Sequence, residues 1–211
     1  MKLLLVGNGG HCRSILDTVL SMNVYSQIGI VSEDKNDEIP KIDTVIHAGT
    51  DDDLPMLLRN GYAQAFVAVG SIGDTSIRRK IADNLLKIGF EIPNLIDPTA
   101  AVSKTAKLGQ GIFIGKNVSI NTGAVIGDFA IINTGAIIEH DCIVQDFVHI
   151  SPGSVICGGA AIGNDSHIGA NSTVKQYIEI GDHAIIGMGS NIINSIAADC
   201  IAYGNPCKVR K

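Results

Sequence analysis

From Val102 to Ile192 every sixth residue is Val, Leu or Ile, sixteen times without a gap. A second column, four residues after each aliphatic, is mostly small or β-branched, as at Ala106, Val118, Ala124, Ala136, Cys142 and Ser154. A third, three residues after it, is Gly, Asn or Asp in ten of the sixteen repeats, among them Gly111, Asn117 and Asp141. An α-helix repeats its apolar face every 3.6 residues and a strand every 2, so neither carries a strict six. A coil of short strands does. Each hexad lays one flat side with its aliphatic and its small residue inward. The Gly, Asn or Asp then turns the corner in the left-handed conformation, where a Cβ costs energy. Three sides close a coil, and strands spaced about 4.8 Å apart stack sixteen hexads into a prism roughly 25 Å tall. Hexapeptide periods of this kind mark parallel β-helices.

Composition agrees with a narrow interior. Aromatics make up only 4% and Trp is absent, which suits a prism filled by Ile, Val and Ala. A net charge of −5 with no basic stripe argues against nucleic acid as a partner. Five cysteines (Cys12, Cys142, Cys157, Cys200, Cys207) form an odd set with no C-x-x-C pair, the usage of reduced thiols in a cytoplasm. The apolar run at the start breaks at Gly7, too short for a signal peptide, and no stretch approaches the roughly 18 apolar residues of a membrane span. The expectation is a cytoplasmic chain without membrane insertion.

The first 97 residues follow another plan. Residues 2–6 read as a buried strand ending at Gly7-Asn8-Gly9-Gly10-His11, followed by a helix with Ile15, Leu16, Val19 and Leu20 on one face. Ile28–Val31 reads as a second strand closed by Ser32-Glu33-Asp34, and 44–48 as a third. Asp51-Asp52-Asp53 opens a helix with carboxylates where the helix dipole favours them. A strand over 65–69 leads through Gly70-Ser71 to a helix over 75–88 with Ile77, Ile81, Leu85 and Ile88 as its apolar face. Strand–helix alternation predicts a small parallel sheet wrapped by helices. Residues 1–97 are thus expected to form a Rossmann-like α/β domain, and 98–211 an all-β parallel β-helix with a C-terminal tail.

Several residues stand out chemically. Gly7-Asn8-Gly9-Gly10 lies between a strand and a helix, where backbone N–H groups hold phosphate. A full dinucleotide fingerprint would place glycine at position 12, where Cys12 stands. The turn therefore reads either as a geometric βα turn or as the cradle of a nucleotide-linked ligand shared with Gly70-Ser71. In the second case His11 is a polar contact, and Glu33 meets the ribose or base unless it is a solvated carboxylate. Glu139-His140-Asp141 departs most from the hexad composition. A carboxylate beside an imidazole fixes its tautomer, as a general base needs, although two exposed corner residues would look alike. Gly158 lies one coil above His140. His149 and His167 share a column, but its next members are Ile131 and Ile185, so no metal is expected.

Together the Gly-Gly-His turn, the Ala-Val-Gly-Ser turn, the Ile-Asp-Pro-Thr-Ala joint, the Glu-His-Asp corner and the Gly-Asn-Pro-Cys-Lys tail resemble the bacterial sugar O-acyltransferases of the sialic-acid O-acetyltransferase type. That family includes N-acetyltransferases of UDP-4-amino-4,6-dideoxy sugars. The resemblance implies a left-handed hand for the β-helix and a homotrimer. It also implies acetyl-CoA between neighbouring prisms and a nucleotide sugar on the N-terminal domain. His140 matches the general base and Asp141 the acidic residue that orients it. His149 and Gly158 match positions near the thioester, and Ala170 and Met188 match contacts to the rest of coenzyme A. Gly9, Gly10, His11 and Glu33 match the sugar-nucleotide side. The expected activity is acetyl transfer from acetyl-CoA to a UDP-linked amino sugar. Sialic-acid-type O-acetylation and a noncatalytic sugar-nucleotide-binding trimer are the alternatives, with a zinc hydratase third.

Overall fold

The computed structural model describes residues 1–33 and 40–210. Asp34, read above as part of a closing turn, lies outside the described residues. The chain forms two compact units, Met1–Gly70 with Ser76–Leu95, and Ser71–Thr75 with Ile96–Lys211.

The first unit is a four-stranded parallel sheet flanked by helices. Strands β1 (Lys2–Val6), β2 (Gln27–Val31), β3 (Val45–Gly49) and β4 (Gln64–Val67) lie in the order β3-β2-β1-β4. Buried runs such as Leu3-Leu4-Leu5 and Ala65-Phe66-Val67 explain the parallel pairing, because both faces are covered. Helix α1 (Gly10–Met22) buries Cys12, Ile15, Leu16 and Val19, and Asn23 ends it in the left-handed conformation. The Asp run forms a 3₁₀ turn, Asp51–Asp53, ahead of α2 (Leu54–Arg59). Asp53 closes a capping box by accepting the Thr50 N–H at 2.9 Å.

Helix α3 (Ser76–Ile88) departs from expectation. It buries Arg78, Ala82 and Leu85, whereas Ile77 is 62% exposed. The buried stripe runs through Arg78, Ala82 and Leu85, one position round from the expected stripe of isoleucines, and it shares Leu85 with that stripe.

The second unit is the hexapeptide-repeat β-helix. Short strands stack into three faces of eight, six and five strands, parallel throughout from Ala101 to Ile192, with every register there offset by eighteen residues, as in Val125↔Ile143 and Ile137↔Val155. The aliphatics from Ile114 to Ile192 are all buried, while Val102 and Leu108 at the bottom are partly so. Inward serines are satisfied between coils. Ser154 donates to Gly169 O at 2.9 Å and Ser166 to Gly181 O at 2.7 Å. The series also runs one step further down than 102, since Ile96 packs against the same core and Asp97 N–H donates to Ile114 O. At the top, Ile201–Tyr203 continues the eight-stranded face and Lys208–Val209 pairs antiparallel with it.

Two corner features were not foreseen. Phe129, Phe147, Tyr177 and His183 also take φ near +55 to +60°, although none is Gly, Asn or Asp. Along the edge between the five- and eight-stranded faces, a side-chain ladder links the coils. The N–H of Gln110 donates to Asp128, that of Asp128 to Asp146, that of Asp146 to Asn164 and that of Asn164 to Asp182, at 2.7 to 3.2 Å.

Candidate active site

The edge between the six- and five-stranded faces carries Glu139-His140-Asp141. His140 Nδ1 lies 3.0 Å from Asp141 Oδ2. A carboxylate only accepts, so Nδ1 carries the proton and Nε2 keeps its lone pair. Asp141 adopts φ 59°, and its side chain, one methylene shorter than glutamate, still reaches the ring. Gly158 sits directly above. An added Cβ there would stand 2.4 Å from His140 Nε2, so the ring rests on the glycine's bare α-carbon. The Gly159 N–H is committed to His140 O at 2.8 Å. The Gly158 N–H, among the described residues, has no acceptor.

A second group forms one prism face away. A cavity of about 410 Å³ is lined by Ile72, His149, Pro152, Ala170, Ile185 and Met188, together with His167. Its rim is apolar and open, with Ile72 76% and Met188 78% exposed. His149 Nδ1 donates to Ser71 O at 2.9 Å, which leaves Nε2 as the acceptor facing the Asn133 amide at 3.4 Å. His149 therefore secures a strap, residues 71–75, whose other end is held by the Thr75 hydroxyl on buried Asp165. Ser71, expected with the sugar nucleotide, belongs to this strap. His167 packs edge-on against His149 with centroids 5.0 Å apart, and burial lowers its pKa. Among the described residues no three His, Cys, Asp or Glu side chains gather as a metal would require.

In the first unit, a groove of about 920 Å³ runs past the C-terminal ends of β1 and β2. It is lined by Asn8, Glu33, Asp51, Asp52 and Lys80, with Ile77 and Ile81 of α3 on its wall. The turn's glycines divide in role. Gly7 has φ 118° and would clash with Val69 if it carried a Cβ, so geometry demands glycine there. Gly9 and Gly10 face open space and have no such requirement. His11 packs beneath Gly70, apart from the groove-lining residues. Burial, reinforced by the Arg78 charge, brings its pKa down to about 4.

That shift sets a pH dependence. His11 folds as a neutral ring, so its contribution is complete above its ordinary value near 6.5 and is lost as pH falls toward about 4. Urea midpoints measured between pH 7.5 and pH 4.5 should fall with pH, and His11→Asn should flatten part of that slope. An identical slope in the variant would contradict the assignment.

The structure thus brings His140, Asp141 and Gly158 together, and separately His149, Ala170 and Met188. Glu33 lines the groove, Gly9 and Gly70 occupy the turns after β1 and β4, and Gly10 and His11 open helix α1. The strap and Ile72 went unforeseen, because no local pattern ties residues 71–75 to a column that begins so much later.

Residues 2–85 match the PglD N-terminal domain family, and residues 141–176 match the bacterial transferase hexapeptide (six repeats) family. PerB from Caulobacter crescentus, solved with CoA and GDP-perosamine, is 31% identical over 100% of this chain and 98% of its own, with a TM-score of 0.89. A histidine-to-asparagine variant of perosamine N-acetyltransferase from the same organism, again with CoA and GDP-perosamine, superposes with a TM-score of 0.92 at 31% identity, covering 100% and 97%. The acetyltransferase domain of PglB from Neisseria gonorrhoeae with acetyl coenzyme A is 32% identical over 99% and 98%, with a TM-score of 0.89. No curated protein sequence matches the chain. No described helix is long and apolar enough to cross a membrane.

Proposed function

This chain belongs to the bacterial hexapeptide-repeat sugar acetyltransferases, and on that premise we propose that it moves the acetyl group of acetyl-CoA onto the amine of a nucleotide-linked sugar with His140 as general base. The observation that carries the residue assignment is the His140–Asp141 pair seated on Gly158. The neutral amine attacks the thioester carbonyl and its proton passes to Nε2 of His140. The C–S bond then breaks and coenzyme A leaves as a thiol once protonated. Positioned base catalysis of this kind contributes about 10²–10⁴-fold. The uncommitted Gly158 N–H is the donor available to the oxyanion.

The pantetheine arm of acetyl-CoA is assigned to the second cavity, where exposed Ile72 and Met188 offer it apolar contact. The base and this cavity stand on different edges of one prism. A homotrimer, in which the edge of one copy meets the cavity of the next, completes the site. The sugar nucleotide is assigned to the first unit. Gly9 and Gly10 leave the turn bare for a phosphate, and Glu33, Asp52 and Lys80 offer polar contacts in the groove. Its nucleotide is read as GDP, which the Caulobacter crescentus relatives bind as GDP-perosamine, or as UDP, which the family resemblance implies. We read the reaction as cytoplasmic, and the five free cysteines support that reading. Thiol release from acetyl-CoA, measured with GDP-perosamine and with a UDP-4-amino-4,6-dideoxy sugar, should rise well above the rate without acceptor for one of them. Equal rates with and without every amino sugar would refute the reading.

A further inference from the structure

Left-handed backbone is costly for a bulky side chain, because the Cβ crowds the following carbonyl. Three of the four bulky residues that adopt it here are compensated. Phe129 and Phe147 are buried and stack with centroids 4.9 Å apart, and His183 Nδ1 lies 3.8 Å from the buried Asp165 carboxylate. Tyr177 differs. It holds φ 56° yet is 74% exposed, and among the described residues its hydroxyl has no hydrogen-bond partner.

Its position is specific. Tyr177 occupies the same corner column as Asp141, two coils higher, and its N–H donates to Gly158 O at 3.1 Å. The ring folds down over Gly159, where an added Cβ would stand 2.4 Å from Cδ1 and 2.5 Å from Cε1. Gly158, the adjacent residue, carries the His140 ring at the same close range. Two consecutive glycines therefore hold the imidazole and the phenol side by side on the base's own edge, whereas Ala170 and Met188 stand on another.

We propose that Tyr177 is a binding and specificity residue for the acceptor sugar, its ring packing against the C–H face of the hexose and its hydroxyl bonding a ring substituent. An exposed, strained aromatic ring beside the base offers a surface that a bound acceptor can cover. A deoxy amino sugar offers the apolar face and polar rim that such a ring matches. This rests on the acetyltransferase reading above.

The test compares Tyr177→Asn and Tyr177→Phe with the parent chain. Asn tolerates this backbone, as Asn117 and Asn171 show at equivalent corners. Tyr177→Asn should raise the KM for the transferred amino sugar, GDP-perosamine or the UDP-4-amino-4,6-dideoxy sugar, at least tenfold. The acetyl-CoA KM should stay within about twofold, and Tm should hold or rise as strain is relieved. Tyr177→Phe should fall between. An unchanged acceptor KM, a lowered Tm with loss of assembly, or a rise confined to the acetyl-CoA KM would each overturn the proposal. A parent chain that transfers to neither sugar would refute the acetyltransferase reading together with this one. A parent that turns over beside an equally active Tyr177→Asn would remove only the role of Tyr177.

Discussion

His140→Ala is expected to lower kcat by about 10²–10⁴-fold, the range a positioned general base supplies, while the KM for acetyl-CoA moves little. The reason is a division of space. The imidazole lies on the Gly158 edge, and the cavity assigned to coenzyme A is built from Ile72, His149, Ala170 and Met188 one face away. Losing the ring removes a proton acceptor without touching that cavity. Asp141→Asn should cost less, because the imidazole stays. Asp141 is also exposed, so water can take over part of its task of holding the Nδ1 proton. Steady-state thiol release with both variants measures this, and a His140→Ala enzyme with parental kcat would remove the base assignment.

The second large effect comes from adding one methyl group. Gly158→Ala should lower kcat by about 10²-fold and leave Tm within a few degrees of the parent. The new Cβ would stand 2.4 Å from His140 Nε2, so the ring must move, and a displacement of an ångström at the reacting group costs about that much. Gly158 does not hold a left-handed φ, and the group it meets is the tip of a side chain, so the fold can accommodate alanine. Gly169→Ala is the informative contrast. Its Cβ would meet the backbone N of Met188 at 2.5 Å and the backbone carbon of Gly187 at 2.7 Å, neither of which can swing aside. That variant should lose stability first. Parental kcat in Gly158→Ala, with the fold intact, would show that the ring position seen here is not the one that works.

The prism was legible because its information is local and periodic. A hexad repeat announces its inward positions, and the eighteen-residue register follows once three sides close a coil, as Ile131↔His149↔His167 confirms. The Glu-His-Asp corner was legible for a related reason, being the place where composition breaks the pattern. Other features depend on tertiary choices that leave no local trace. Helix α3 carries Ile77 and Ile81 one position round from Arg78 and Ala82, and only tertiary packing decides that Arg78, Ala82 and Leu85 go in while Ile77 stays out. The strap from Ser71 to Thr75 meets His149 and Asp165 across separations of 78 and 90 residues, with nothing in its own sequence to point there. The aromatic corners contradict the intrinsic preference of their residues, so propensity reads them wrongly.

The ladder from Gln110 to Asp182 also changes what counts as a small mutation. Every link spans eighteen residues, so an insertion or deletion is graded by its remainder after division by eighteen and hardly at all by its size. Adding a whole coil outside residues 140–188 lengthens the prism, lets each carboxylate find an N–H again and leaves both functional edges in line. Adding a single hexad between Asp141 and His149 is three times smaller and far worse. It carries everything above it one face round, sets the wrong corner over His140, and breaks the register of all three faces at once. Natural variation in the length of such a chain should therefore come in full turns, or be confined to its two ends.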